Sequence, residues 1–278
     1  MLPPVASRFV AGETVPVALD HVRRMNDAGV SVILNRLGEH YTDRAAADAD
    51  ADAYRQLLRD LDGSGLAACL SVKPSQLGLT VDESVYRENY RAVVESAADH
   101  DAFVWSDMED ATTTDATLDA FETLAREFPG RVGQCLQANL RRTGDDVERL
   151  ADVPGKIRLV KGAYDEPADV AYTRAEAVSE SFRENLALLF REYDGDVAVA
   201  THDPELVDYA KRLGEAYGRD FEFQMLMGVR EGAQRELAAE GYDVWQYAPY
   251  GRQWLAYFYR RVRERKENLA FALRALVS

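Results

Sequence analysis

Lysine is scarce in this chain: Lys73, Lys156, Lys161, Lys211 and Lys266 are its only five, and arginine supplies the rest of the 33 basic residues. Against them stand 48 acidic residues, for a formal net charge of −15. A surface of that sign repels nucleic acid and anionic lipid, so no nucleic-acid partner is expected. Asp-rich stretches such as DRAAADADADAYRQLLRDLD strengthen the bias and point to a high-salt cytoplasm. Cysteine is equally thin. Cys69 and Cys135 sit singly in apolar runs, where a thiol serves as a small hydrophobe, and two isolated cysteines build neither a disulfide framework nor a zinc site. The four histidines, His21, His40, His100 and His202, have no metal-ligand spacing, so no metal is expected. No apolar run approaches the roughly 18 to 20 residues a membrane span needs. The stretch MLPPVASRF has neither the basic start nor the apolar core of a signal peptide, which gives a cytoplasmic address as the expectation. No linker, repeat or composition break divides the chain, and the expectation is one domain over 1–278.

What is present is an alternation. Short apolar segments recur at Val30 to Leu34, Ala67 to Val72, Phe103 to Ser106, Val132 to Gln137, Ile157 to Val160, Val197 to Ala200, Phe221 to Gln224 and Val244 to Tyr247. Stretches with helical spacing follow them, at 43–62, 82–100, 114–128, 144–151, 168–193, 203–218, 229–240 and 251–275, and a further helix over 14–28 precedes the first strand. Eight apolar strands alternating with eight amphipathic helices predict an α/β fold: a parallel sheet closed into a distorted (βα)8 TIM-type barrel with an additional N-terminal helix. Asp82 with Glu83, and Asp203 with Pro204 and Glu205, supply helix-start chemistry, and Gly29 is placed to end the leading helix.

In such a barrel, chemistry sits at the C-terminal ends of the strands. Read in order, those ends deliver Glu39, Lys73, Asp107 with Glu109, Gln137, Lys161, Thr201 with His202, Gln224 and Tyr247. Singly, each has an ordinary structural role: a carboxylate caps a helix, a lysine is solvated, a glutamine braces a loop. Together they form a polar ring that suits a partly anionic organic ligand better than a metal cage. Near the C-terminus, Tyr257, Arg260, Arg261, Glu264 and Asn268 fall at helical spacing. RRVRERKEN alone reads as a solvated face, but adjacent arginines next to aromatic residues also suit a carboxylate held bidentately.

Distinctive strings run nearly the length of the chain: RFVAGET at 8–14, LGE at 37–39, SVKPSQLGL at 71–79, DMED at 107–110, LQANLRRT at 136–143, RLVKGAY at 158–164, ATHD at 200–203, FEFQMLMGV at 221–229, and YAPYG leading into RR, E and N. In these the chain resembles the monofunctional proline dehydrogenase family. With the acidic composition, the resemblance implies a halophilic archaeal member. It also implies a non-covalent FAD across the strand ends, contacted by Asp107, Gln137, Arg158, Val160, Lys161, Gly162, Ala163, Thr201, His202, Gln224, Arg261 and Glu264. The implied L-proline pocket is Lys73, Tyr164, Leu226, Tyr247, Arg260 and Arg261, closed by Glu39 pairing with Arg260. Lys73, Asp107, Tyr247, Arg260 and Arg261 carry the implied catalytic roles. Three positions depart from the family pattern: Asp165 follows KGAY where bulky residues are usual, Asn139 replaces an aromatic, and QML is followed by Met227.

The reaction so implied is oxidation of L-proline to 1-pyrroline-5-carboxylate, the hydride passing to flavin and then to a quinone-type acceptor at the inner membrane face. No dinucleotide-binding glycine motif is read and a second domain is not expected, so a separate pyrroline-5-carboxylate dehydrogenase is expected to take the product. Two alternatives stay open on the residues alone. Asp107, Glu109 and Asp110 could hold Mg²⁺ in a lyase barrel, or a degenerate barrel could sense proline or flavin without catalysis.

Overall fold

A computed structural model describes residues 6–255. After a 3-10 turn at Ala6–Arg8, α1 (Val15–Asn26) leads into β1 (Ser31–Arg36), α2 (Arg44–Leu61), β2 (Ala68–Val72), α3 (Glu83–Asp99) and β3 (Val104–Ser106). A short 3-10 turn at Ala111–Thr113 precedes α4 (Thr114–Glu127), β4 (Val132–Gln137), α5 (Thr143–Arg149) and β5 (Lys156–Val160). Then come α6 (Ala175–Glu192), β6 (Asp196–Ala200), α7 (Pro204–Tyr217), β7 (Glu222–Leu226), α8 (Glu231–Ala239) and β8 (Asp243–Tyr250). Every strand pairs in parallel with its sequence neighbours, and β1 pairs with β8 through Ile33 opposite Tyr247, so the sheet is a closed barrel in chain order.

Strand period decides where each residue goes. On β5, Ile157 and Leu159 point outward and join the main apolar layer beneath the helices, while Arg158 turns into the lumen. On β7, Phe223 and Met225 pack outward and Gln224 faces in. A separate cluster of Ile33, Cys69, Trp105 and Ala198, backed by Trp245 and Tyr247, fills the lumen itself. Gly133 makes room for it: a Cβ there would lie 2.5 Å from the Trp105 ring. Helix starts follow local chemistry. Asp82 accepts from Ser84 N at 2.8 Å and Asp203 from Glu205 N at 3.1 Å, with Pro204 in the first turn of α7. Gly29, at φ 76°, ends the turn that follows α1.

Several boundaries differ from the sequence expectation. The helix expected over 168–193 begins only at Ala175, because the preceding backbone is engaged elsewhere. Arg141 N donates to Val170 O at 2.9 Å, Tyr172 N to Asn139 O at 2.7 Å, and Leu140 bridges Ala171. Strands β5, β6, β7 and β8 include Lys156, Asp196, Glu222 and Asp243, polar residues that an apolar-run criterion leaves out or passes over. The helix expected over 251–275 lies largely outside the described residues, and with it Tyr257, Arg260, Arg261, Glu264 and Asn268.

Candidate active site

The C-terminal ends of the strands enclose a cavity of about 880 Å³. Glu39, Lys73, Asp107, Gln137, Arg158, Val160, Lys161, Gly162, Ala163, Tyr164, Thr201, His202, Gln224, Leu226 and Tyr247 all line it. Eight separate strand ends thus deliver the residues singled out above to one place. Arg260, Arg261 and Glu264 lie outside the described residues, so neither the expected carboxylate clamp nor the Glu39–Arg260 closure has a described geometry.

The electrostatic centre is Asp107. Its Oδ1 accepts from Ser71 Oγ at 2.7 Å and from the Arg158 guanidinium, its Oδ2 accepts from Tyr247 Oη at 2.7 Å, and Lys73 Nζ stands 3.8 Å away. Burial alone would raise this carboxyl, but Arg158 and Lys73 and the bonds from Ser71 and Tyr247 outweigh it and hold the carboxyl below its ordinary range. Burial and the adjacent Asp107 charge push the Tyr247 phenol well above the usual tyrosine value, so it stays a donor. Arg158 is 3% exposed and lies between two aromatic faces, its guanidinium carbon 4.9 Å from the Trp105 ring centre and 5.7 Å from that of Tyr247. A planar cation fits this slot where an ammonium would not.

A second group lies across the cavity. Lys161 Nζ bonds Asp203 Oδ2 at 2.9 Å and Ser179 Oγ at 3.0 Å, next to the N-terminus of α7. Although partial burial favours the neutral form, Lys161 keeps the Asp203 carboxyl below its usual value. His202 Nε2 accepts from Leu226 N at 2.8 Å, so a ring proton belongs on Nδ1. Gln137 Nε2 donates to Glu109 O at 2.8 Å and its Oε1 accepts from Ala163 N at 3.3 Å, which seats the KGAY loop. Gly162 has φ 111°, and a Cβ would run into the Asn139 amide, so Asn139 is packed directly beneath the loop.

Glu109 acts as a tie. Its carboxylate accepts from Ser75 N at 2.7 Å and Ser75 Oγ at 2.8 Å, and Ser75 Oγ accepts from His40 N at 2.9 Å. Lys73 Nζ is 3.8 Å from Glu39 Oε2, so the loops after β1, β2 and β3 are joined around the two charges. The Mg²⁺ alternative needs Asp107, Glu109 and Asp110 to converge. Instead Asp107 is saturated by Arg158, Ser71 and Tyr247, and Glu109 is used by Ser75. Among the described residues, Glu39, His40 and Glu109 do approach within 4.8 Å of one another, but Glu109 is already engaged. Residues not singled out from the sequence also shape the site: Asn35, Ser71, Trp105 and Cys135. Period two along the strands would have found them, since Asn35 follows Ile33 and Ser71 follows Cys69 on the inward face.

A parallel barrel that gathers paired cations, carboxylates and amides at its C-terminal rim is built as an enzyme for a small polar organic substrate. Family comparison agrees and narrows the class. The proline dehydrogenase family model matches residues 18–274. The chain is 39% identical over 280 residues to "Proline dehydrogenase" of Deinococcus radiodurans, covering 98% of this chain and 90% of that one. It is 35% identical to "Proline dehydrogenase 1" of Bacillus subtilis with the same coverage. The chain belongs to the proline dehydrogenase family. Among solved structures, proline utilization A of Bdellovibrio bacteriovorus, inactivated by N-propargylglycine, superposes with a TM-score of 0.83 at 23% identity. The match covers 92% of this chain but only 32% of that longer one, and the likeness is one of fold.

Proposed function

We propose that this protein oxidises L-proline to 1-pyrroline-5-carboxylate with a non-covalently bound FAD. The observation that carries the reading is the cavity itself: a member of this family gathers fifteen of the positions implied for flavin and proline around one space. The donor set fits a flavin nucleotide. Arg158, Gln137 and Gln224 offer guanidinium and amide groups to the polar edge of a ring system, and Lys161 beside the start of α7 offers positive charge to phosphate. When bound, the flavin supplies the hydride acceptor.

The protein's own residues do the rest. Lys73, neutralised between Glu39 and Asp107, completes the polar wall without presenting an isolated charge. Tyr247 and Leu226 wall the substrate side and exclude water, which favours the neutral amine, whose nitrogen lone pair forms the C=N bond as hydride leaves the adjacent ring carbon and the N–H proton is released. Tyr247, fixed by its bond to Asp107, is proposed to abut the proline ring and disfavour an added hydroxyl, so that proline is preferred to hydroxyproline. Arg260 and Arg261 are proposed to take the substrate carboxylate, and Glu39 to close over it by pairing with Arg260. Electrons then leave to a quinone-type acceptor, and a separate pyrroline-5-carboxylate dehydrogenase consumes the product. Among the described residues no helix is long and apolar enough to cross a membrane, and the proposed site of action is cytoplasmic with peripheral contact at the membrane's inner face.

The test is spectroscopic. The purified protein, reconstituted with FAD and freed of excess by gel filtration, should show a flavin spectrum that anaerobic L-proline bleaches. Retained flavin with no bleaching would leave a binding protein, and no retained flavin would reject the cofactor assignment.

A further inference from the structure

Behind Arg158 the lumen holds a line of polar groups running down the barrel axis, away from the cavity. Arg158 Nη1 donates to Gln224 Oε1 at 3.2 Å, Gln224 Nε2 donates to Glu222 Oε1 at 2.6 Å, and Lys156 Nζ donates to Glu222 Oε2 at 2.9 Å. Glu222 is 4% exposed and lines no part of the cavity, nor does Lys156. Period two along β7 places Glu222 directly beneath Gln224, and the register across β6 sets Lys156 of β5 within its reach. Burial pushes the Glu222 carboxyl above its ordinary value, and the Lys156 charge with the two donated bonds acts against that rise.

This line has a direction. A carboxylate has no hydrogen to give, so the end of the Gln224 amide that faces it must be the NH₂ group, and the carbonyl end is thereby turned to Arg158. Reverse the amide and two donors would meet inside a dry lumen, where an unmade bond carries its full desolvation cost. We infer that Glu222, paired with Lys156, is a positioning residue that sets the Gln224 amide and so presents Arg158 to the cavity in one orientation. The pair acts through Gln224 and touches neither flavin nor substrate. Its effect on catalysis rests on the flavoprotein reading above, since Arg158 is the group it aims.

The inference is tested by exchanging the polarity of the line without changing its length. In Glu222→Gln, the new amide must accept from Lys156 and therefore donates toward Gln224, which has to flip and turn its NH₂ against Arg158. In the double exchange Glu222→Gln/Gln224→Glu, the amide now at position 222 accepts from Lys156 and donates to the carboxylate now at position 224. That carboxylate accepts from Arg158, so every bond is restored. The readouts are the FAD dissociation constant of the apoprotein, by fluorescence titration, and the thermal midpoint of the same apoprotein. Glu222→Gln should bind FAD about tenfold more weakly and melt lower. The double exchange should bring the thermal midpoint back close to the parent's; Gln224 itself lines the cavity, so FAD affinity is read only on the variants that keep it. A double exchange that melts no higher than the single one overturns the inference. Lys156→Met is the remote arm. Without its counter-charge the buried Glu222 takes up a proton, offers one donor and one acceptor oxygen, and no longer dictates which way the Gln224 amide points, so FAD affinity should again fall although Lys156 lies outside the cavity. Unchanged affinity in that variant also overturns it. A parent protein that binds no FAD would instead refute the flavoprotein reading, and the melting data alone would then decide the orientation claim.

Discussion

The two faces of the same eight strands differ in chemistry. Outward, beneath the helices, Val32, Leu34, Leu70, Val72, Ile157, Leu159 and Phe223 form an apolar layer that is 0% exposed. Inward, one residue along, the same strands carry Arg158, Gln224, Ser71, Asn35 and Tyr247, joined by directed hydrogen bonds. The outer face obtains its stability from area and volume, which many residue combinations satisfy. The inner face depends on donors meeting acceptors, and a single mismatch there is costly.

The largest expected effect comes from breaking the inner face at its charge pair. Arg158→Met leaves Asp107 buried with Lys73 as its nearest cation, and should cost about 3 to 5 kcal/mol of stability and about a thousandfold in kcat/KM. Arg158→Met/Asp107→Leu should regain most of the stability and none of the activity. Chemical denaturation with steady-state kinetics checks both. A double variant as unstable as the single one would show that the pair is not the unit.

A matched change on the outer face should separate the two properties. Leu159→Ala, next to Arg158 on β5, removes a fully buried side chain and should cost about 2 to 5 kcal/mol. The turnover of the folded fraction should stay within about twofold, because Leu159 contributes volume and no directed bond. A large fall in turnover at full folding would erase the distinction between the faces.

The smallest effect is in pH. His21, on α1, donates to Gln246 Oε1 at 2.7 Å behind the barrel, and burial lowers its ring below the ordinary histidine value. A lowered histidine binds fewer protons folded than unfolded, so its contribution to stability is present above the unfolded value near 6.5 and is lost as pH falls through the folded one. Asp107 is likewise lowered, from an ordinary value of 3.8, so its contribution is lost only in stronger acid. Between pH 7.5 and 5.5, the unfolding free energies of the parent and His21→Gln should diverge by at most about 1 kcal/mol, read by chemical denaturation at each pH. Asp107→Asn should leave that slope unchanged and flatten the profile at lower pH.

Much of this was legible in the sequence. Alternating apolar strands and amphipathic helices specified an eight-unit barrel, because parallel strands are covered by helices and every unit carries its own periodicity. Strand ends then named the rim, and the motif strings named the family. Boundaries were less legible. The backbone at 168–174 looked helical by its apolar spacing, yet the loop after β4 captures its hydrogen bonds, a competition that local periodicity does not record. The inward polar residues were harder still. Lys156 flanks an apolar run and looks like a turn residue, Glu222 is passed over inside the run Phe221 to Gln224, and Ser71 looks like any small strand residue. Only closure of the barrel brings Ser71, Asp107, Arg158 and the pair Glu222 and Gln224 together from four places far apart in the chain. Composition and period are properties of neighbours in the chain, so the sequence by itself determined which residues face inward or outward. Which donor meets which acceptor inside depends on strand register and on the curvature that closes β1 against β8, and the tertiary structure alone decided that.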